Sequence, residues 1–150
     1  MKILVCMDGS KNGQKVLDEA AKIAGGCNAD GVAVIYVYNQ PPDYSVLREK
    51  GSYIRPEDME RFRELENKRR EEKKKILADA VAFFETKNVR ASSIFEEGHP
   101  AEIITKVADK GNFDLIVIGN RGMGGLKRMF LGSVSNAVVQ QAKTSVLTVK

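Results

Sequence analysis

Apolar residues along this chain fall into two patterns, short continuous runs and stretches in which they recur every third or fourth position. Residues 2–7 form the first run and end at Asp8, Gly9 and Ser10, a turn signal, which predicts a buried strand followed by a loop. From 12 to 24 the apolar positions Val16, Leu17, Ala20, Ala21, Ile23 and Ala24 repeat at helical spacing, and Gly25 and Gly26 supply a stop. Residues 32–38 are continuous and rich in β-branched side chains, as in a strand covered on both faces, and Asn39, Gln40, Pro41 and Pro42 end it. An irregular excursion over 43–55 precedes one long helix over 57–87. A third strand is expected over 89–97, with Gly98, His99 and Pro100 turning into a helix over 101–110 and Pro100 suited to its first turn. The fourth strand spans 115–118, a glycine-rich connection 119–131, a helix 133–142 and a last strand 146–149.

Strict alternation of strand and helix implies an α/β fold: an open parallel sheet with right-handed crossovers and helices on both faces. Such sheets take ligands at the carboxyl ends of their strands, where the strand order reverses. No internal repeat, linker or low-complexity tract breaks the pattern, so one domain over 1–150 is expected.

Composition changes this picture little. The 150 residues are 43% apolar and 29% charged, ordinary values for a globular domain. Net charge is +4, but 24 basic and 20 acidic residues are largely interleaved, so the sum selects no partner. Cys6 and Cys27 form no C-x-x-C and have no spaced histidine, which suits a reducing compartment. The opening apolar run is too short for a signal-peptide core or a membrane span, so a cytoplasmic location is expected.

Candidate chemistry concentrates between the fourth strand and the last helix. Gly119, Asn120, Arg121 and Gly122 are followed by nine residues and then Gly132 and Ser133. A P-loop needs Lys and Ser/Thr after its last glycine, but Gly124 is followed by Gly125; the dinucleotide fingerprint G-x-G-x-x-G fails at Lys127. The physics is shared nonetheless: glycines let main-chain N–H groups converge on phosphate oxygens without a Cβ in the way. Ser133 opens a helix whose N-terminus favours an anion, and Lys127 and Arg128 lie within the same connection. Either feature alone describes many plain turns and helix caps; their fixed spacing after a strand points to a ligand.

The pattern G-x-x-G-x9-G-S, carried by Gly119, Gly122, Gly132 and Ser133, resembles the ATP-binding motif of the universal stress protein family. The likeness extends through ILVCMDGS at the start, EEGHPAEIITKVADKGNFDLIVIGNRG, and LGSVSNAVVQQAKTSVLTVK at the end. The resemblance implies a Rossmann-like sheet of five strands in the order 3-2-1-4-5, binding ATP with Mg²⁺ at the carboxyl ends of the first and fourth strands. Asp8 would lie by the ribose and the metal-bound phosphates, and the main chain of Val37 would meet the adenine, with its side chain and Met7 giving apolar contact. Gly9 and Ser10 complete the first turn; Gly119, Asn120, Arg121, Gly122, Gly132, Ser133, Val134 and Ser135 complete the nucleotide set. Cys6, Ser145 and Asn120 depart from the family's usual Pro or Ala, Pro, and Ser or Thr at those places.

Other features weigh less. His99, the lone histidine, is expected to cap a helix, and no triad or metal cluster can be built around it. The run over 68–75 (KRREEKKK) is basic, but its acids are interspersed and no aromatic residue interleaves it, so a solvated face is expected over a nucleic-acid surface. Met59, Phe62 and Leu65 before it, and Ile76, Leu77, Ala80, Val81 and Phe84 after it, read as core- or partner-facing stripes. The last strand should be an edge and, as the resemblance also implies, a homodimer contact. Three functions stand at this point: a nucleotide-dependent regulatory module of the stress response, a slow ATPase, or a protein that meets nucleic acid through the basic helix.

Overall fold

A computed structural model describes residues 1–39, 55–120 and 131–150. Strands β1 (Lys2–Met7), β2 (Gly31–Tyr38), β3 (Ala91–Glu97), β4 (Leu115–Gly119) and β5 (Ser145–Val149) alternate with helices α1 (Gly13–Gly26), α2 (Pro56–Thr86), α3 (Pro100–Lys110) and α4 (Ser133–Gln141). All strand pairs are parallel and the order is β3-β2-β1-β4-β5. The expected sheet is thus observed, with its order reversing between β1 and β4.

Alternation along each strand divides the core into two layers. Ile3, Val5, Val34, Tyr36 and Val117 face α1 and α2, where Val16, Leu17, Ala20, Leu77, Ala80 and Phe84 are buried. Leu4, Cys6, Ile35, Ile116 and Ile118 face α3 and α4, where Ala101, Ile104, Ala108 and Val138 are buried. Central strands covered on both sides account for the continuous apolar runs that β1, β2 and β4 carry. β3 is an edge strand, and its Ser92, Ser93 and Glu96 are exposed.

The stop of α1 differs from expectation. α1 runs through Gly25 and Gly26, and the chain turns at Asn28, whose φ is +47°. Asn88 (φ +56°) and Asn112 (φ +49°) follow α2 and α3 in the same left-handed conformation. After each helix an N–H reaches back five residues, from Ala29 to Ala24 O, Val89 to Phe84 O and Phe113 to Ala108 O, at 3.0 Å in all three. These are Schellman-type closures with Asn in the place usually taken by Gly, which satisfy carbonyls that the last turn leaves open. The third strand consequently begins at Ala91, two residues later than the apolar pattern suggests.

α2 has 31 residues, so at 1.5 Å per residue it is about 46 Å long and outruns the strands beneath it. Only its second half carries buried residues, namely Leu77, Ala80 and Phe84. Leu65, expected in an apolar stripe, is 54% exposed.

Candidate functional site

The turn after β1 is built by its own side chains. Asp8 Oδ1 accepts the Ser10 N–H at 2.8 Å, an Asx-type turn, and Gly9 between them has φ +76°. A Cβ on Gly9 would stand 3.1 Å from Ile76 Cδ1 and 3.6 Å from Lys73 Nζ, so α2 closes over this turn from one side. Beneath it, the Tyr36 hydroxyl reaches Asp8 O at 3.5 Å.

Beside β1, β4 ends at Gly119 and Asn120, and Asn120 acts as an anchor through its main chain. Its N–H donates to Val149 O at 2.7 Å, and its carbonyl accepts the Gly132 N–H at 2.7 Å and the Ser135 hydroxyl at 3.2 Å. Three bonds therefore tie β5, β4 and the start of α4 to one residue. Asn120 is 7% exposed, and its Oδ1 is a buried acceptor with no hydrogen-bond partner among the described residues. An unmet buried acceptor is costly and marks a place where a donor is wanted.

Gly132 occupies the N-cap of α4, with no side-chain cap, so Ser133 is the first helical residue rather than the cap. The first-turn N–H groups of α4 have no acceptor within the helix. The Ser133 side chain is exposed, whereas the Ser135 hydroxyl is turned inward to the carbonyls of Asn120 and of Gly132, the latter at 3.0 Å; Ser135 thus offers a ligand its main chain alone. Val134 packs against the core layer on the α3 and α4 side.

Met7 and Val37 are not brought together. Met7 packs with the α1 layer, and its Cε lies 2.9 Å from where a Cβ on Gly13 would be; Val37 packs with the opposite layer. Arg121 and Gly122 lie outside the described residues, as do Lys127, Arg128 and most of the 43–55 excursion. His99 takes the N-cap position of α3 without a side-chain cap bond and is exposed. Burial, with a smaller contribution from the Asp8 charge, pushes the Cys6 thiol far up, which makes it a core residue rather than a nucleophile. Among the described residues no group of three His, Cys, Asp or Glu side chains could hold a metal, and no helix is long and apolar enough to cross a membrane.

A parallel 3-2-1-4-5 sheet with a polar turn after β1 and a helix start anchored beside it defines a Rossmann-like protein whose strand order reverses between β1 and β4. The family model described as "Universal stress protein family" matches residues 1–150, and the chain belongs to that family. It is 35% identical over 149 residues to universal stress protein YxiE of Bacillus subtilis, covering 99% of this chain and 98% of that one. The solved structure of protein MJ0577, of Methanocaldococcus jannaschii, superposes with a TM-score of 0.79 at 28% identity, covering 99% and 94% of the two chains. The universal stress protein from Archaeoglobus fulgidus, solved in complex with dAMP, superposes with a TM-score of 0.69 at 22% identity, covering 100% and 98%.

Proposed function

We propose that this chain binds ATP in the crevice at the carboxyl ends of β1 and β4 and acts as a nucleotide-dependent regulatory module of the stress response. The observation that carries this is the anchoring of α4 on Asn120, which fixes an uncapped helix start beside the end of β4. Phosphate oxygens there meet N–H groups and the positive end of the helix, while Gly119, Gly122 and Gly132 keep the approach free of side chains. The hydroxyl of Ser133 and the main chain of Val134 and Ser135 address the phosphates. The carboxamide of Asn120 supplies an acceptor in want of a donor. Asp8 faces the ribose and Mg²⁺, the latter arriving with the triphosphate rather than on a protein cage. Val37 meets the adenine through its main chain. The dAMP complex of the Archaeoglobus protein supports an adenine nucleotide in this fold.

In the proposed cycle ATP favours a closed arrangement of the segment from 119 to 133, and protein partners read the altered surface; this needs tighter binding to the closed state. The chain works as one domain in the cytoplasm and pairs with a second copy along the edge strand β5. Calorimetry with ATP tests the site: wild type should release binding heat and Gly122→Val should not. Equal heats from the two proteins would reject it. Identifying by mass spectrometry any nucleotide released on denaturation tests the ligand's identity, and a phosphate-release assay separates regulation from slow ATP hydrolysis.

A further inference from the structure

The basic run over 68–75 has no part in the site so far, yet two of its members turn away from solvent. Arg70 and Lys73 are half-buried, about one helical turn apart, on the face of α2 that lies over β2. Arg70 is paired: its Nη1 lies 2.6 Å from Glu97 Oε1, and its guanidinium lies 5.6 Å from the centre of the Tyr38 ring. Lys73 is not. Its ammonium lies 5.7 Å from the centre of the Tyr36 ring and has no carboxylate or carbonyl partner among the described residues. What it adjoins is the turn after β1, where Nζ is 3.6 Å from the position of a Cβ on Gly9.

A ring face attracts an ammonium only weakly, and an anionic oxygen makes the stronger, charge-assisted partner. The nearby carboxylate of that turn, Asp8, directs one oxygen to its own Ser10 N–H. With its ammonium beside the Tyr36 ring and near the position of a Cβ on Gly9, the Lys73 head group lies by the same carboxyl end of β1 that the proposed nucleotide would cross.

We propose that Lys73 is a further ligand-binding residue, its ammonium meeting the phosphate chain of the nucleotide from the α2 side of the β1 turn, opposite the amides of α4. This rests on the nucleotide function proposed above. The contact favours phosphate over base or ribose because an ammonium is a compact, strongly hydrated point charge without the planar fork that reads base edges. Gly9 leaves the gap between ammonium and turn open.

Calorimetric titration of wild type, Lys73→Met, Lys73→Arg and Lys75→Met with ATP and with adenosine tests the assignment. Lys75 is exposed on the same helix and controls for net charge. Lys73→Met should weaken ATP about tenfold, the size of a lost charge-assisted contact. Its adenosine affinity should hold within about twofold, which also verifies the fold; Lys73→Arg should restore most of the ATP affinity and Lys75→Met should match wild type. Unchanged ATP affinity in Lys73→Met, or an equal loss in Lys75→Met, overturns the role of Lys73 while leaving the nucleotide site standing. A wild type that binds neither ligand overturns the nucleotide site itself, and this contact with it.

Discussion

Gly9 is a position where main-chain geometry and packing both oppose a side chain. Its φ of +76° is left-handed, and Ile76 Cδ1 would stand 3.1 Å from an added Cβ. Gly9→Ala should therefore lower stability by about 1–2 kcal/mol, measured by urea unfolding. Adding Ile76→Val should recover the packing share and leave the strain. Asn120 presents the converse case, because its anchoring bonds come from N–H and C=O groups that every non-proline residue has. Asn120→Ala should cost less than about 1 kcal/mol in the same assay, since the side chain it removes has an acceptor with no partner among the described residues. A main-chain role of this kind leaves no mark on residue type, which is why sequence pattern points to Asn120 as part of a motif but not as the tie between β5, β4 and α4. The inward turn of Lys73 was legible in principle: Phe62, Glu66, Lys73, Leu77, Ala80 and Phe84 share one helical face, and that phase puts Lys73 on the sheet-facing side rather than on the solvated face of the basic run.

At the scale of elements, α2 divides into a half that the sheet holds and a half that it does not. Phe84 is fully buried in the layer shared with α1, so Phe84→Ala should cost about 3–5 kcal/mol, whereas Leu65→Ala, on the half without buried residues, should stay within about 0.5 kcal/mol. Thermal unfolding of the two variants side by side checks the contrast. Helix stops follow a different logic. Asn88 holds a left-handed φ of +56° just past α2, so Asn88→Gly should be neutral or stabilising and Asn88→Ala should cost about 1 kcal/mol. Existence and order of the elements could be read from the sequence because burial on one stripe or on both faces imposes a period. The end of α1 could not, because Gly25 and Gly26 look like a stop while the closure is made at Asn28, by a bond from Ala29 back to Ala24 that only the folded chain displays.

For the molecule as a whole, a parallel sheet covered by helices on both faces follows from alternation and crossover handedness, whereas the strand order comes from the family resemblance and the content of each layer from neither. Met7 and Val37 appear equivalent in sequence, each near the end of a central strand, yet strand parity sends them to opposite sides of the sheet. The same parity gathers Tyr36, Tyr38 and Phe95 under α2, with Phe95 stacked on both tyrosines at 6.2 Å. Burial, reinforced by the hydrogen bond to Glu66, raises the Tyr38 phenol from 10.0 to about 12. The native state then holds a proton that the unfolded chain releases above its ordinary value. Stability from this group is complete below about pH 10 and is lost as pH rises through about 12. Unfolding midpoints in denaturant, compared between wild type and Tyr38→Phe across that window, should converge as the wild type gives up its advantage. Parallel slopes for the two proteins would place the alkaline sensitivity elsewhere in the fold.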